Sequence, residues 1–144
     1  MSATCIFCRI AAREIPAEVV YEDQHSLAFL DIDPLFPGHT LLIPKTHAQT
    51  LTDIPLPEVA PLFEAAHKLT RAIETAMQAE GSFLGINNRI SQSVPHLHIH
   101  IVPRRKKDGL KGFFWPRRKY ENDTHLAETA AKIRQALAVL CASA

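Results

Sequence analysis

Three histidines alternate with aliphatic residues in the run over residues 95–102. Successive side chains of a β-strand point to opposite faces, so a strand here carries His96, His98 and His100 on one face. Its other face is entirely aliphatic and has to lie against a hydrophobic core. Imidazole changes its charge near physiological pH and serves as a nucleophile, a proton carrier or a metal ligand. The polar face therefore predicts phosphate chemistry or metal binding.

Hydrophobic periodicity predicts the elements around this strand. Apolar residues three and four apart predict an amphipathic helix over residues 57–80 and another that begins near Asp123 or Thr124, either of which can cap it. A brief helix is expected over residues 5–13. Short apolar runs bounded by turn residues predict four further strands, at residues 19–21, 27–30, 40–43 and 83–86.

These elements predict an α+β fold with a five-stranded, mostly antiparallel sheet, one long central helix, a short N-terminal helix and a C-terminal helix. We expect residues 1–144 to form a single domain. It comprises a core over 1–104, a basic and aromatic segment over 105–122, and the terminal helix over 123–144. Cys141 on that helix is expected to be a small core hydrophobe.

Charge and hydropathy exclude several classes of protein. A net charge of +1 argues against bulk binding to nucleic acid or a membrane surface. No apolar run approaches the roughly 18 residues of a membrane span, and the N-terminus lacks a secretory signal, so we expect a cytoplasmic protein. Three cysteines do not suggest a disulfide framework. Half of all Lys and Arg residues nevertheless lie in residues 104–119, which suits a solvated loop or attraction of a polyanionic substrate.

Five ordered blocks of sequence resemble signatures of the histidine-triad (HIT) family of nucleotide-binding hydrolases and transferases. They are residues 5–10, 31–34, 38–41, 43–47 and the long form of the His-x-His-x-His motif over 92–104. The resemblance covers nearly the whole chain and implies a HIT domain, usually assembled as a homodimer, that binds a purine nucleotide or dinucleotide.

The same resemblance implies a nucleotidyl-imidazole mechanism. His98 would attack the α-phosphorus of a nucleoside phosphoramidate or dinucleoside polyphosphate, and water would then release a nucleoside monophosphate. His100 would hydrogen-bond the phosphoryl oxygens as charge builds on them, and Ser93 would donate toward the leaving group.

A nucleotide pocket beside these groups is also implied. Phe7 and Ile32 would flank the base, and Asp31 would accept hydrogen bonds from the ribose hydroxyls. Asn87, or Asn88 in its place, would reach the sugar-phosphate. The residues implied for nucleotide binding are Phe7, Asp31, Ile32, Asn87, Gln92, Ser93, His98 and His100.

One departure from the family pattern lies in the loop over residues 88–92, which is shorter than usual. Ser91 stands where the family commonly has glycine, and glycine allows backbone amides to approach a phosphate closely. Arg89 is a candidate to compensate by offering its guanidinium to the leaving phosphates.

The pair of cysteines near the N-terminus suggests a second site. Alone, such a pair is compatible with a redox role or with simple burial. In zinc-bearing members of the superfamily two histidines join the thiolates, so the resemblance implies a closed structural zinc site of Cys5, Cys8, His47 and His96. Other members keep the triad without metal, and the histidine at the His47 position orients the nucleophile instead. The remaining histidines are expected to be surface or capping residues: His25, His39, His67 and His125.

Two other functions stay open at this point. The shortened loop fits a nucleotide-binding regulatory module with vestigial activity, and three neighbouring histidines also suit direct ligation of a catalytic metal ion. Phe113, Phe114 and Trp115 would either stack on the distal nucleoside of a dinucleotide or pack on the sheet or across a dimer interface.

Overall fold

A computed structural model describes residues 4–111 and 116–143. Within these ranges the chain forms three helices and five strands, which confirms the α+β class. Phe113, Phe114 and Trp115 lie outside the described residues, so their two predicted roles stay predictions. The elements are α1 Ile6–Ala11, β1 Val19–Glu22, β2 Ser26–Leu30, β3 Thr40–Pro44, α2 Leu56–Ala76, β4 Gly81–Gly85, β5 Ile99–Arg104 and α3 Asp123–Ala142.

The five strands form one sheet in the order β1-β2-β3-β5-β4. All four strand pairs are antiparallel, as the sequence predicted. The last strand in the chain, β5, lies between β3 and β4, where His100 is opposite Leu41 on one side and Gly85 on the other. The sheet therefore places the third triad histidine next to segments that are far away in sequence.

Both faces of the sheet are covered, which explains why β2 and β3 are apolar without alternation. On one face the apolar stripe of α2 packs against Leu97, Ile99 and Ile101 in a cluster that also includes Ala28 and Leu42. On the other face α1 contributes to a second cluster, and its buried members are Cys5, Phe7, Cys8, Ile10, Leu27, Phe29, Leu41 and Ile43. The aliphatic set of the histidine motif thus faces α2, as its alternation predicted.

The histidine strand begins later than its sequence suggests. β5 starts at Ile99, so only His100 of the triad lies within it. The N–H of Leu97 donates to the Ala48 carbonyl at 2.7 Å instead of joining the ladder, and the N–H of His96 donates to the Val94 carbonyl at 2.8 Å. His96, Leu97 and His98 are all buried ahead of the strand, and these bonds satisfy part of their backbone without sheet pairing.

The chain divides into two units, Met1–Asp108 and Gly109–Ala144. In the second unit α3 is capped by Asn122, whose side-chain oxygen accepts the His125 N–H at 2.8 Å. The predicted caps Asp123 and Thr124 are therefore wrong by one or two positions, because Asn122 is the residue with extended backbone from which a side chain reaches the first turn. Cys141 is exposed, so its expected core position is also wrong. No helix in the described ranges has the length and apolar character needed to cross a membrane.

Candidate active site and metal centre

His98 is a buried imidazole with one ring nitrogen already used by the protein. Its side chain is 3% exposed, and its Nδ1 lies 2.7 Å from the carbonyl oxygen of His96. A carbonyl can only accept a hydrogen bond, so Nδ1 carries the proton and donates it. In the neutral ring Nε2 then holds a lone pair. This is the protonation state that a nucleophilic imidazole requires.

Aromatic rings hold His98 in place from two directions. Phe7 contacts it edge-on, with ring centroids 5.2 Å apart, and His100 contacts it with centroids 4.9 Å apart. Phe7 is buried, whereas Ile32 is 99% exposed. Of the two residues predicted to flank a base, Phe7 packs beside the predicted nucleophile and Ile32 lies open to solvent.

The two cysteines and two histidines predicted for a metal come together as a group that we call the thiol–imidazole cluster: Cys5, Cys8, His47 and His96. The four potential ligand atoms all lie within 4.8 Å of one another. His96 Nδ1 is 3.4 Å from the Cys5 sulfur and 3.5 Å from the Cys8 sulfur, and His47 Nδ1 is 3.3 Å from the Cys8 sulfur. In a tetrahedral zinc site with usual bond lengths the separation between sulfur and nitrogen ligands is about 3.5 Å. The donor set and its spacing fit a closed metal site.

His96 is oriented toward the sulfurs by a backbone carbonyl. Its Nε2 lies 2.8 Å from the oxygen of Pro44, so Nε2–H donates and the Nδ1 lone pair faces the cysteines. Burial lowers the pKa of His96 to about 4, which keeps the ring neutral at pH 7. A neutral ring with a directed lone pair is what metal ligation needs.

A second group, the carboxylate–imidazole cluster, consists of Asp31, His39 and His100. His39 Nε2 lies 2.9 Å from His100 Nδ1 and 3.7 Å from Asp31 Oδ2. The three possible ligand atoms also lie within 4.8 Å of one another, which is close enough for a shared metal ion. Their closest contact, however, has the length of a nitrogen–nitrogen hydrogen bond.

The expectation that His39 is a surface or capping residue is wrong. Its side chain is 4% exposed and contacts a triad histidine. Periodicity gave no sign of this, because the partner ring is 61 residues away. The available signal was the position of His39 inside one of the five family-like blocks, residues 38–41.

A tight turn before β3 sets the position of His39. Gly38 has a φ of 95°, and a Cβ there would come within 2.7 Å of the Met77 side chain, so glycine is required by both backbone and space. The turn closes where the N–H of Asp31 donates to the His39 carbonyl at 2.9 Å. It therefore brings the predicted ribose-binding carboxylate next to His39.

The shortened loop keeps the conformation that glycine favours without containing glycine. Ser91 has a φ of 59° and Arg89 a φ of 68°, both in the left-handed region. Gln92 braces the loop, since its Oε1 accepts the Arg89 N–H at 2.9 Å and its Nε2 donates to the Gln49 carbonyl at 2.7 Å. Ser91 therefore adopts a backbone conformation that glycine favours, although it carries a side chain.

The same loop separates the two candidate asparagines. The side-chain oxygen of Asn88 accepts the Leu51 N–H at 3.0 Å, so this oxygen helps to hold the loop. Asn87 is half-buried, and Ser93 is exposed. This arrangement favours Asn87 over Asn88 as the group available to a sugar-phosphate.

Arg104, directly before the basic and aromatic segment, forms a charge pair. Arg104 donates to Asp108 through Nε at 2.5 Å and Nη2 at 3.0 Å. The lysines and arginines that follow within the described ranges are exposed. A solvated segment and a polyanion-attracting segment are both compatible with that exposure.

Comparison with known sequences identifies the chain's relatives. A model of the HIT domain family matches residues 12–107. The protein named "Protein hit" from Bacillus subtilis is 40% identical over 141 residues, covering 96% of this chain and 95% of that protein. The adenosine 5'-monophosphoramidase of Saccharomyces cerevisiae is 38% identical over 125 residues, covering 85% and 77%. The asymmetrical bis(5'-nucleosyl)-tetraphosphatase of Schizosaccharomyces pombe is 36% identical over 96 residues, covering 65% and 53%.

Solved structures give the same result for the fold. A protein from Streptococcus mutans superposes with a TM-score of 0.86 at 36% identity, covering 95% of this chain and 87% of that one. A zinc-bound histidine triad family protein from Mycobacterium smegmatis superposes with a TM-score of 0.71 at 38% identity, covering 98% of both chains.

Proposed function

This chain belongs to the HIT family, and from that membership we propose that it is a nucleotide hydrolase with a covalent nucleotidyl intermediate on His98. The observation that carries the proposal is the bond from His98 Nδ1 to the His96 carbonyl, which leaves the Nε2 lone pair for attack. Attack of Nε2 at the α-phosphorus expels the leaving group. Water then displaces the imidazole and releases a nucleoside monophosphate.

Nucleoside phosphoramidates or dinucleoside polyphosphates are the proposed substrates. The names of two relatives support this class, since one is an adenosine 5'-monophosphoramidase and the other a bis(5'-nucleosyl)-tetraphosphatase. Both reactions break a bond to a nucleotide phosphate. An imidazole nucleophile that retains the nucleotidyl group can displace either leaving group.

The remaining machinery follows from groups around His98. His100, whose ring centroid is 4.9 Å away, would hydrogen-bond the phosphoryl oxygens as negative charge builds on them. Ser93 would donate to the leaving group from its exposed position in the loop. Asp31 would bind the ribose hydroxyls, and Asn87 the sugar-phosphate.

Direct ligation of a catalytic metal by the triad is less well supported. A shared ion would require one nitrogen from each ring to point to a common centre. Both nitrogens of His96 are already used, Nε2 on the Pro44 carbonyl and Nδ1 on the cysteine sulfurs, so this ring has none left for an ion shared with the other two. His98 Nδ1 binds a carbonyl and His100 Nδ1 binds His39. The three rings are oriented by three different partners, which favours separate roles.

We also propose that the thiol–imidazole cluster holds a structural zinc ion. Two sulfur and two nitrogen donors would fill a tetrahedral shell with no open position, and zinc would thereby supply a crosslink rather than catalysis. The crosslink would join α1, the segment after β3 and the residues before β5. The zinc-bound relative from Mycobacterium smegmatis supports this choice of metal.

Substitution of His98 tests the proposed reaction. We expect His98→Asn and His98→Gly to lower turnover of a fluorogenic adenosine phosphoramidate and of diadenosine tetraphosphate by at least about 1000-fold, because the covalent intermediate can no longer form. His67→Asn, on the exposed face of α2, is the control and is expected to keep wild-type turnover.

Two outcomes would contradict the proposal. Wild-type turnover by either His98 variant would exclude the covalent mechanism. No turnover of any nucleotide conjugate by the unmodified protein, with nucleotide binding retained, would support the regulatory module.

Turnover that persists after incubation with EDTA would exclude a catalytic metal.

A further inference from the structure

We propose that His39 is a positioning residue that fixes the tautomer of His100, so that His100 presents an N–H and not a lone pair to the phosphoryl group. The fixing of the tautomer rests on hydrogen bonds between described residues. Its consequence for catalysis rests on the proposed function of His100.

The first link is a backbone bond whose direction has only one solution. The N–H of Leu35 lies 3.1 Å from Nδ1 of His39. A backbone N–H can only donate, so His39 Nδ1 must be the acceptor and carries no proton. In the neutral ring the single proton is therefore on Nε2. The turn at Gly38, which orients His39 toward the loop before it, makes this bond possible.

The second link transfers that constraint to the triad. His39 Nε2 lies 2.9 Å from His100 Nδ1, and since His39 Nε2 holds the proton, His100 Nδ1 accepts it. The proton of a neutral His100 is then on Nε2. His100 thus offers a donor at its free end, which is the group that a negatively charged phosphoryl oxygen needs.

Burial keeps both rings in the neutral form that this chain of bonds assumes. It lowers the pKa of His39, although the nearby Asp31 carboxylate opposes the shift. Burial, followed by the neighbouring His98 and His39, lowers the pKa of His100 to about 4. Asp31 Oδ2, 3.7 Å from His39 Nε2, is too far for a strong hydrogen bond but polarises the His39 N–H toward donation.

The geometry favours a proton over a metal ion between the two rings. A separation of 2.9 Å between His39 Nε2 and His100 Nδ1 is the usual length of a hydrogen bond to nitrogen. The same arrangement of protons suits the two outer nitrogens. Leu35 donates to His39 Nδ1, and His100 Nε2 would donate to the substrate. The cluster is therefore a chain of hydrogen bonds in which each ring accepts at Nδ1 and donates from Nε2.

Removal of His39 would release His100 to adopt either tautomer. One of the two presents a lone pair to the phosphoryl oxygens and repels them. Because the bond from His100 strengthens as charge develops, the loss should lower kcat more than it raises KM. A loss of about tenfold in kcat is the size expected when a group that orients another is deleted.

Nuclear magnetic resonance of the imidazole nitrogens tests the tautomer without any assay of activity. In the wild-type protein long-range ¹H–¹⁵N correlations are expected to show His100 with the proton on Nε2. His39→Leu should give a mixed or reversed pattern at His100. His39→Gln, whose amide N–H can still donate to His100 Nδ1, should restore the wild-type pattern. Thermal unfolding of each variant identifies any that fails to fold.

Kinetics on the same variants test the consequence. We expect kcat to fall about tenfold in His39→Leu with KM within about twofold of wild type, and to recover to within about threefold in His39→Gln. His67→Leu, an exposed histidine of α2, is the matched control and should not change either constant.

Failure of this proposal is distinguishable from failure of the proposed function. A wild-type His100 with its proton on Nδ1, or an unchanged His100 pattern in His39→Leu, would overturn the positioning role whatever the activity. An equal loss of kcat in His39→Gln and His39→Leu, with the His100 pattern restored only by Gln, would overturn its link to catalysis. A wild-type protein that turns over no nucleotide conjugate but shows the expected tautomers would reject the function alone.

Discussion

The thiol–imidazole cluster and the carboxylate–imidazole cluster each contain one end of the same histidine triad, and they use it in opposite ways. In both, the triad ring has its proton on Nε2. His96 donates that proton in a hydrogen bond to the Pro44 carbonyl, and its Nδ1 lone pair faces sulfur. The Nδ1 lone pair of His100 accepts a hydrogen bond from His39, and the Nε2 proton of His100 is left for another partner. The chemistry of a histidine is therefore decided by which nitrogen the protein occupies.

His98, between the two clusters, has the reverse tautomer. Its Nδ1–H is bound to the His96 carbonyl, and its lone pair is on the other nitrogen. Under the proposed function, three identical side chains in regular alternation would offer a lone pair to metal, a lone pair to phosphorus and a proton to a phosphoryl oxygen. The predictions below test whether the two clusters differ as strongly as this contrast implies.

The largest expected effect separates the clusters by metal dependence. We predict that Cys5→Ser combined with Cys8→Ser removes about one equivalent of zinc and lowers the free energy of unfolding by about 4 kcal/mol or more, because metal-binding energy is folding energy. Elemental analysis of protein purified without an affinity tag and denaturant unfolding measure the two changes. Cys141→Ser is the matched control, since that cysteine is exposed, and it should alter neither.

Retention of metal by the double cysteine variant would break the comparison at this point, as would wild-type stability. Cys5, Cys8 and His96, which are buried, and His47, which is exposed, would then be linked only by hydrogen bonds to sulfur. Both clusters would then be networks of hydrogen bonds, and they would differ only in their hydrogen-bond acceptors.

A smaller effect concerns acid, and we place its test at His100 of the carboxylate–imidazole cluster. The pKa of His100 is about 4 in the folded protein and about 6.5 in an unfolded chain. Between these values the unfolded chain binds a proton that the folded chain does not, so stability falls as pH decreases from about 6.5 to 4. Allowing for partial solvent screening, we predict that His100→Gln removes about 2 kcal/mol of this pH-dependent loss.

Denaturant unfolding at pH 7.5 and pH 4.5 measures that difference. The quantity to compare is the change in unfolding free energy between the two pH values, for wild type and for His100→Gln. An identical change in both proteins would show that His100 takes up its proton as readily folded as unfolded.

The smallest predicted effect lies outside both clusters and gives the scale for local backbone strain. Ser91 has a φ of 59°, a conformation that costs a non-glycine residue about 1 kcal/mol. Ser91→Gly removes this cost but also increases the entropy of the unfolded chain by a similar amount. We expect a net gain of at most about 0.5 kcal/mol in denaturant unfolding. Ser93→Gly in the same loop, where φ is not positive, should instead lose stability.

A loss of stability in Ser91→Gly as large as that in Ser93→Gly would mean that the left-handed backbone is not strained there. The departure from the family's glycine would then be a neutral replacement. Either result sharpens the contrast with the two clusters, where we expect substitutions to change the free energy of unfolding by several times as much.

Much of the fold followed from patterns in the sequence. The two long helices were predicted from a 3.6-residue periodicity and the histidine strand from alternation. The other four strands were predicted from short apolar runs bounded by turn residues. The boundaries were less accurate. β5 begins at Ile99 because the Leu97 N–H has a partner outside the sheet, and such a partner leaves no local trace in the sequence.

The candidate site was predicted in part. The set Cys5, Cys8, His47 and His96 was implied by family resemblance, and the structure brings all four together. His39 was missed because its importance depends on contact with one ring 61 residues away. The choice between Asn87 and Asn88 was also undecidable, since it depends on a hydrogen bond to Leu51.

What the sequence determined by itself is the shared face of the three imidazoles, because strand alternation is a property of the backbone. Only the tertiary structure decided which nitrogen of each imidazole has a partner. A ring nitrogen becomes a donor or an acceptor according to the group that reaches it, and those groups are the Pro44 carbonyl, the His96 carbonyl and the His39 ring. Two of the three lie more than 50 residues from the histidine they orient, so long-range packing fixes the position of the proton on those rings.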